Sequence, residues 1–436
     1  MPQPVFAFVA LTSGSYEGAI IRDMRLANEL HARGFKVHVY WMMETNSELV
    51  HPKIPQRLLC RGTRFQHERP SDLLDLAGRL LSLYPAQRRR RFMQQHQDYL
   101  TRLMCNLVRA VCDGDPSLQS RIERWIIRDG VTHLLPTFAM ICPFAQAVKE
   151  RGVAKFDYLV TFQGEEIFAN YADRIGRVQD YYARLRQATA ASGWPAVAVS
   201  RDYIKRLHDE MGIDPDRLRA IYPGIELPKQ NEPPRFELLT AKIPGLRRDI
   251  PIVTYFGRQD SEKGIDLLLY AVKLLQDEGI KMQIVACGGS SFGLKYREVC
   301  EQIAGHLRVK VLWKRRITDA ERAALYAFSR CVVYPSIHRE PFGMVAPEAM
   351  SHGTPVLVPD QGGITEAISC NGSAGGLKFK SWDTADLAAQ LKRLVTDGAL
   401  HGELAKNAPI VAANFSVGRM TDRVLEHLGL PTRAES

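Results

Sequence analysis

Paired cysteines are missing from this sequence. Its eight cysteines stand singly, at positions 60, 105, 112, 142, 287, 300, 331 and 370, and no C-x-x-C pair occurs. That spacing argues against a zinc ribbon or a redox dithiol and predicts reduced thiols in a cytosol. Long apolar runs are also missing: no stretch reaches the roughly 18 uncharged apolar residues of a membrane span. The start, MPQPVFAFVALTSGSYEG, has no basic region ahead of its apolar one, so no signal peptide is expected. Nor does the glycine turn after the first apolar run, TSGSYEGAI, have the G-x-G-x-x-G spacing of a dinucleotide fingerprint. A Rossmann oxidoreductase with Glu44 as its ribose-binding acid is therefore a weak competitor.

What is present is a chain of 436 residues with 45% hydrophobic and 24% charged residues. That is too long for one ordinary core and predicts two domains of soluble globular type. The net charge of +10 is uneven: residues 53–91 hold ten Lys/Arg against Glu68, Asp72 and Asp75. The densest part, YPAQRRRRFMQQHQDYLTRLM, contains Arg88, Arg89, Arg90 and Arg91. Two readings stay open for it, a patch for an anionic membrane face or a solvated basic face on an inserted helix. Nucleic acid is not an expected partner, because no recognised module or aromatic platform accompanies the charge.

Short β-branched or aromatic runs alternate with longer helical patterns. One set falls at 5–11, 36–42, 132–138, 156–162, 196–200 and 218–222, a second at 252–257, 282–289, 310–314, 330–336 and 355–359. Continuous apolar strands separated by helices predict parallel sheets covered on both faces. The Pro-rich segment PGIELPKQNEPPRF, 223–236, reads as an interdomain linker. The fold class expected is thus α/β, two doubly wound Rossmann-like domains facing a central cleft, with ligands at the carboxyl ends of the strands. Residues 60–130 break the rhythm and read as a helical insertion, part of a basic insertion spanning about 50–130.

In the second half, IVTYFG is followed by RQDSEKGIDLLLYAVKLL. Gly257 ends a strand, Arg258 and Lys263 follow, and Gly264 opens an amphipathic helix, which reads either as an anion site or as two solvated loop charges. The next strand ends at Gly288 and Gly289, which allow close backbone approach. In REPFGMVAPEAMSHGTPVLVPDQGG, Pro347 suits a first helical turn and Gly353 a left-handed cap. Glu348 fits a helix start by the macrodipole alone; Glu340 lies before the helix and has no such explanation.

These residues carry a resemblance. YFGRQDSEKGIDLLLYA and EPFGMVAPEAMSHGTPVLVPDQGGITE resemble the donor half of glycosyltransferase family 4, with the E-x7-E motif at Glu340 and Glu348. AVAVSRDYIKRLHDEMGIDPDRLRAIYPGIEL and GSYEGAIIRDMRLANELHARGFKVHV resemble its domain-joining segment and its first loop, helix and strand. The resemblance covers most of the chain except about 50–130. It implies the GT-B fold, with an acceptor-side domain over 1–226, a nucleotide-sugar donor domain over 236–413, and a last helix, 414–436, crossing back to the first. It further implies sugar transfer from a nucleotide sugar with retention and without cofactor or metal. Arg258 and Lys263 would neutralise the departing diphosphate, and Glu340 would hold the donor sugar near the reacting carbon. Glu348 would bind the ribose, and the amides of Phe342, Gly343, Met344 and Val345 would bind sugar and phosphate oxygens. Gly257, Gly288 and the Gly363 turn complete the donor side.

In the first half, the family places the loop of Gly14 and Gly18 against acceptor and donor phosphates. Gln163, in LVTFQGEEIF, stands where many relatives carry a donor-contacting His. Gln cannot titrate near neutral pH, which puts an imidazole acid/base role in doubt. Glu165 and Glu166 are either acceptor-binding groups or plain helix-start acids. His133, His208 and His338 read as packing or surface residues. The leading expectation is a cytoplasmic transferase acting on a glycan or lipid-linked acceptor in surface glycan synthesis, with peripheral contact at the membrane's inner face tied to the first of the two open readings of the basic segment. UDP is the first nucleotide expected and GDP the second. A non-catalytic nucleotide-sugar-binding scaffold subunit is the alternative, and Gln163 is its support.

Overall fold

The computed structural model of the chain describes residues 3–11, 18–42, 47–59, 97–229, 233–289 and 295–433. It divides into two compact units, one formed by residues 1–224 with 417–436 and the other by 225–416.

The first unit is built on parallel strands β1 (Val5–Ala10), β2 (Lys36–Trp41), β3 (Gln56–Leu58), β4 (His133–Pro136) and β5 (Asp157–Tyr158), in the order β3-β2-β1-β4-β5. A second parallel sheet runs β6 (Thr161–Phe162), β7 (Ala196–Ala198) and β8 (Leu218–Ala220). The run FDYLVTF, expected as one strand, is thus two: Asp157–Tyr158 pairs with β4 and Thr161–Phe162 with β7. Its residues from Tyr158 to Phe162 are all buried, so hydropathy alone could not show the break.

Helix ends follow local chemistry. In the helix Pro116–Asp129, Asp115 accepts from Leu118 N at 3.0 Å, Pro116 opens the first turn, and Gly130 closes it with φ 65°. With Gln97–Asp113 this gives two helices among the described residues of the expected insertion; residues 60–96, with Arg88, Arg89, Arg90 and Arg91, lie outside the described residues, as do Gly14 and Glu44. The helix Val417–His427 belongs to the first unit, where Met420, Val424, Leu425 and Leu428 pack in one cluster with Phe6, Leu30 and Trp41.

The second unit has a parallel sheet of β9 (Ile252–Phe256), β10 (Gln283–Cys287), β11 (Val311–Lys314), β12 (Cys331–Val333) and β13 (Val356–Pro359). After the short hairpin of β14 (Ser369–Cys370) and β15 (Ser373–Ala374), β16 (Gly376–Phe379) completes it. The order is β11-β10-β9-β12-β13-β16. The chain moves outward on one side of β9 and then returns to add strands on the other. The direction of winding therefore reverses between β9 and β12, the place at the strands' carboxyl ends where open α/β sheets bind ligands. The boundaries between the units fall after Gly224, near the start of the expected 223–236 linker, and after Ser416; Ile225 N bonds Phe415 O at 2.7 Å within the second unit.

Candidate functional site

The loops after β9 and β12 meet at that reversal. After β9 the chain passes through Gly257, whose N bonds Cys287 O at 3.0 Å, and Gly288, at the end of β10, crosses against it. A Cβ on Gly288 would stand 1.8 Å from Gly257 O. Lys263 sits in a short turn, Ser261–Lys263, closed by Gly264 at φ 62°, where a Cβ would meet Pro335 O at 2.1 Å. These two glycines permit the close packing of the β9 loop on its neighbours.

Lys263 and Glu340, 77 residues apart, form a buried ion pair: Nζ to Oε1 is 2.5 Å. Ser336 Oγ donates to the same oxygen at 2.7 Å, and Tyr334 OH lies 3.4 Å from it. Burial works against charge on Glu340, but the Lys263 ammonium, His338 and the Ser336 bond outweigh it and hold the carboxyl below its ordinary value. Burial likewise opposes charge on Lys263, and Glu340 raises its pKa above the usual value. Both groups are charged at neutral pH. Arg258 bonds Asp260 Oδ2 at 2.8 Å and also bonds Glu262. The Gly362–Gly363 turn closes over the motif: Gly363 N bonds Glu340 O at 2.8 Å, and a Cβ on Gly362 would stand 2.7 Å from that same oxygen.

Glu348 lies in the first turn of the helix Val345–Ser351, behind Met344. Its carboxylate faces Arg322, whose charge burial opposes but Glu348 and other acids support. Gly343 has φ 82° and leaves no room for a Cβ beside Ile364, and Phe342 packs on Phe415 with ring centroids 5.4 Å apart. Arg258, Lys263, Glu340, Gly257, Gly288 and Gly363 are therefore linked by direct contacts or shared hydrogen bonds. Two neighbours were not visible in the sequence. Glu262 touches both cations. Gln259, 1% exposed beside Arg258, has an Nε2 without a hydrogen-bond partner among the described residues.

In the first unit, Gly18 begins the helix Gly18–Ala32. Gln163 follows β6, and its Nε2 donates to Thr137 O at 2.8 Å and to Asp23 Oδ1 at 3.3 Å. Both amide hydrogens are used, so Gln163 can meet a ligand only through Oε1. Asp23 is itself buried against Arg22, Nη1 to Oδ1 2.6 Å.

Glu165 corrects an expectation. It is fully buried, accepting from Ala139 N at 2.7 Å and Tyr181 OH at 2.9 Å, so it has no face for an acceptor. Tyr203 OH accepts from Gly164 N and Glu165 N at 3.1 and 2.7 Å and donates to Glu166 at 2.7 Å. The pair of acids braces the turn that carries Gln163. Burial pushes the Glu165 carboxyl up to about 8 despite its hydrogen bonds. A raised folded value means the native state binds the proton more tightly, so its contribution is complete below the ordinary 4.5 and declines as pH rises toward about 8. Glu165→Gln is expected to flatten that decline, read by denaturant unfolding at pH 5 and 8; an unchanged pH slope would refute it.

Among the described residues no cluster of His, Cys, Asp and Glu could hold a metal ion, and no helix is long and apolar enough to cross a membrane.

Residues 240–411 match the family Glycosyl transferases group 1. A D-inositol 3-phosphate glycosyltransferase of Rhodococcus erythropolis is 34% identical over 245 residues, 55% of this chain and 54% of the relative. One from Salinispora arenicola is 31% identical over 234 residues, 51% and 52% of the two. The chain spans about half the length of the curated relatives it matches. Among solved structures, a sucrose-phosphate synthase of Thermosynechococcus elongatus aligns with TM-score 0.71 at 20% identity, covering 98% of both chains. Anabaena HepE in complex with UDP and glucose aligns with TM-score 0.69 at 15% identity, covering 98% of this chain and 100% of that one. Those likenesses are of fold.

Proposed function

We propose, from the match of residues 240–411 to Glycosyl transferases group 1 and from the likeness of fold, that the chain transfers a sugar from a nucleotide sugar to a hydroxyl acceptor. The observation that carries this reading is the buried Lys263–Glu340 pair beside Arg258, at the winding reversal of the second unit. Cations fixed where a diphosphate leaves stabilise charge as it develops, an effect worth several kcal/mol. In this reading Arg258 and Lys263 take the charge of the departing nucleoside diphosphate. Glu340 orients hydroxyls of the donor sugar, and Glu348 accepts from the ribose. The bond from the anomeric carbon to the diphosphate breaks, and the acceptor oxygen bonds that carbon on the same face, giving retention. The acceptor proton passes to the leaving phosphate oxygen, so neither Gln163 nor a metal is needed as a base or Lewis acid.

The acceptor is read as a glycan or lipid-linked sugar; the inositol phosphate named for the relatives supplies a soluble alternative to assay. The test is transfer and donor hydrolysis with a panel of UDP-, GDP- and ADP-sugars, with and without EDTA. Turnover that survives EDTA is expected with one of them. Absence of both binding and turnover across the panel would overturn the reading, as would strict metal dependence for its metal-free part.

Glu348→Ala is expected to weaken nucleotide affinity about tenfold or more, the cost of losing a hydrogen bond to a charged group. Calorimetry with the nucleotide alone reads this, and a larger loss in turnover than in affinity would mean that the role is misassigned.

A further inference from the structure

The two cations of the donor site are neutralised from within the protein. Arg258 Nη2 bonds Glu262 Oε1, and Lys263 Nζ lies 3.4 Å from that same oxygen. A single carboxylate oxygen thus bridges both cations, as an oxygen of a diphosphate would. The other carboxylates on these cations are fixed: Asp260 and Glu340 side chains are 7% and 9% exposed. Glu262 differs, with a side chain 38% exposed. Its main chain is nonetheless anchored, because its carbonyl accepts from Ile337 N at 3.1 Å and His338 N at 3.2 Å. The side chain can therefore swing into water while the turn that carries Lys263 stays in place.

We propose that Glu262 is an internal counter-anion that occupies the diphosphate's place on Arg258 and Lys263 and exchanges with it. In the ligand-free protein it keeps two closely spaced cations from repelling each other. When a nucleoside diphosphate arrives, the carboxylate moves out, and its rehydration offsets part of the ligand's desolvation. After transfer its return competes the nucleoside diphosphate off the cations. Glu262 does not touch reacting atoms in this scheme; it acts through Arg258 and Lys263. The inference rests on the donor-site reading above.

The test compares the full chain with Glu262→Gln and Glu262→Asp by calorimetry against UDP, GDP, ADP and the three parent nucleosides. For the diphosphate that the unmodified chain binds, Glu262→Gln should bind about two- to fivefold tighter, the scale of a partly exposed ion pair. The nucleoside should bind unchanged. Steady-state transfer should show KM falling together with kcat, because product leaves more slowly. Glu262→Asp, whose shorter chain retracts the oxygen from Lys263, should tighten binding less, and it carries the comparison if Glu262→Gln fails to fold. Equal or weaker diphosphate binding by these variants overturns the inference, as does equal tightening for the nucleoside. If the unmodified chain binds none of the three diphosphates, the donor-site reading itself fails and takes this inference with it.

Discussion

Glu340→Gln should lower sugar transfer by about a hundredfold or more, the scale of losing a fixed charged contact at a reacting centre, and should also destabilise the second unit. The two effects have separate causes. Lys263 is 4% exposed, and Glu340 is its buried counter-charge at 2.5 Å. Removing the Glu340 charge leaves the buried ammonium facing the part-exposed Glu262 at 3.4 Å, at a cost of up to about 3–5 kcal/mol. Removing both is a different matter: Lys263→Met with Glu340→Met deletes the stranded charge and should recover most of the stability lost by either alone. Activity should not recover. Denaturant unfolding and transfer assays on the two single variants and the double variant read the cycle, and a double variant that regains transfer would reduce the pair to a packing element.

The same pair sets a pH window. The Glu340 carboxyl is held below its ordinary 4.5, so its contribution is present above that value and is lost as pH falls through the folded one. Lys263 is held above its ordinary 10.5, so its contribution is present below 10.5 and is lost as pH rises through the folded value. The ion pair itself should therefore be intact from about pH 4.5 to 10.5. Loss of stability inside that range belongs to other groups, Glu165 among them.

Gly288→Ala is expected to cost about 3 kcal/mol or more and to abolish nucleotide binding, because the added methyl meets fixed main chain. Gly288 has φ 142°, and the added Cβ would stand 1.8 Å from Gly257 O and 2.7 Å from its carbonyl carbon. Neither side can yield. Gly257 N is bonded to Cys287 O, Gly288 N to Lys314 O at 2.9 Å, and Gln259 N to Gly289 O at 2.8 Å. Relief would have to pull the β9 loop, with Arg258 and Lys263, off the end of β10. The adjacent Gly289→Ala is the control: a Cβ there meets nothing within 4 Å among the described residues, and its effect should stay within about 0.5 kcal/mol. Equal thermal stability of the two variants would show that the crossing is not rigid.

The parallel sheets were legible because each buried strand is a short apolar run that needs no partner to be recognised. Gly376–Phe379 was not, since GLKF is short and includes an exposed lysine, and its place beside β13 is set only by the chain returning there. Arg258, Lys263, Glu340 and Glu348 were legible through a motif. The Lys263–Glu340 bond was not, because no local pattern relates residues 77 apart. Glu262 read as one more loop acid, and its reach to both cations exists only once the turn folds. Of the two readings of Glu165 the helix-start one holds and the acceptor-side one does not: in QGEEIF two adjacent acids look alike, yet the fold turns the first wholly inward and leaves the second partly open.

The helix Val417–His427 ties the order of synthesis to the order of folding. Unit 1 closes its core with Met420, Val424 and Leu425, while residues 225–416 form the other unit entirely. On a ribosome the chain would thus present a continuous second unit, free to fold, before the first has received its last apolar face. The first unit must wait with Phe6, Leu30 and Trp41 incompletely covered, an interval in which a chaperone has something to hold.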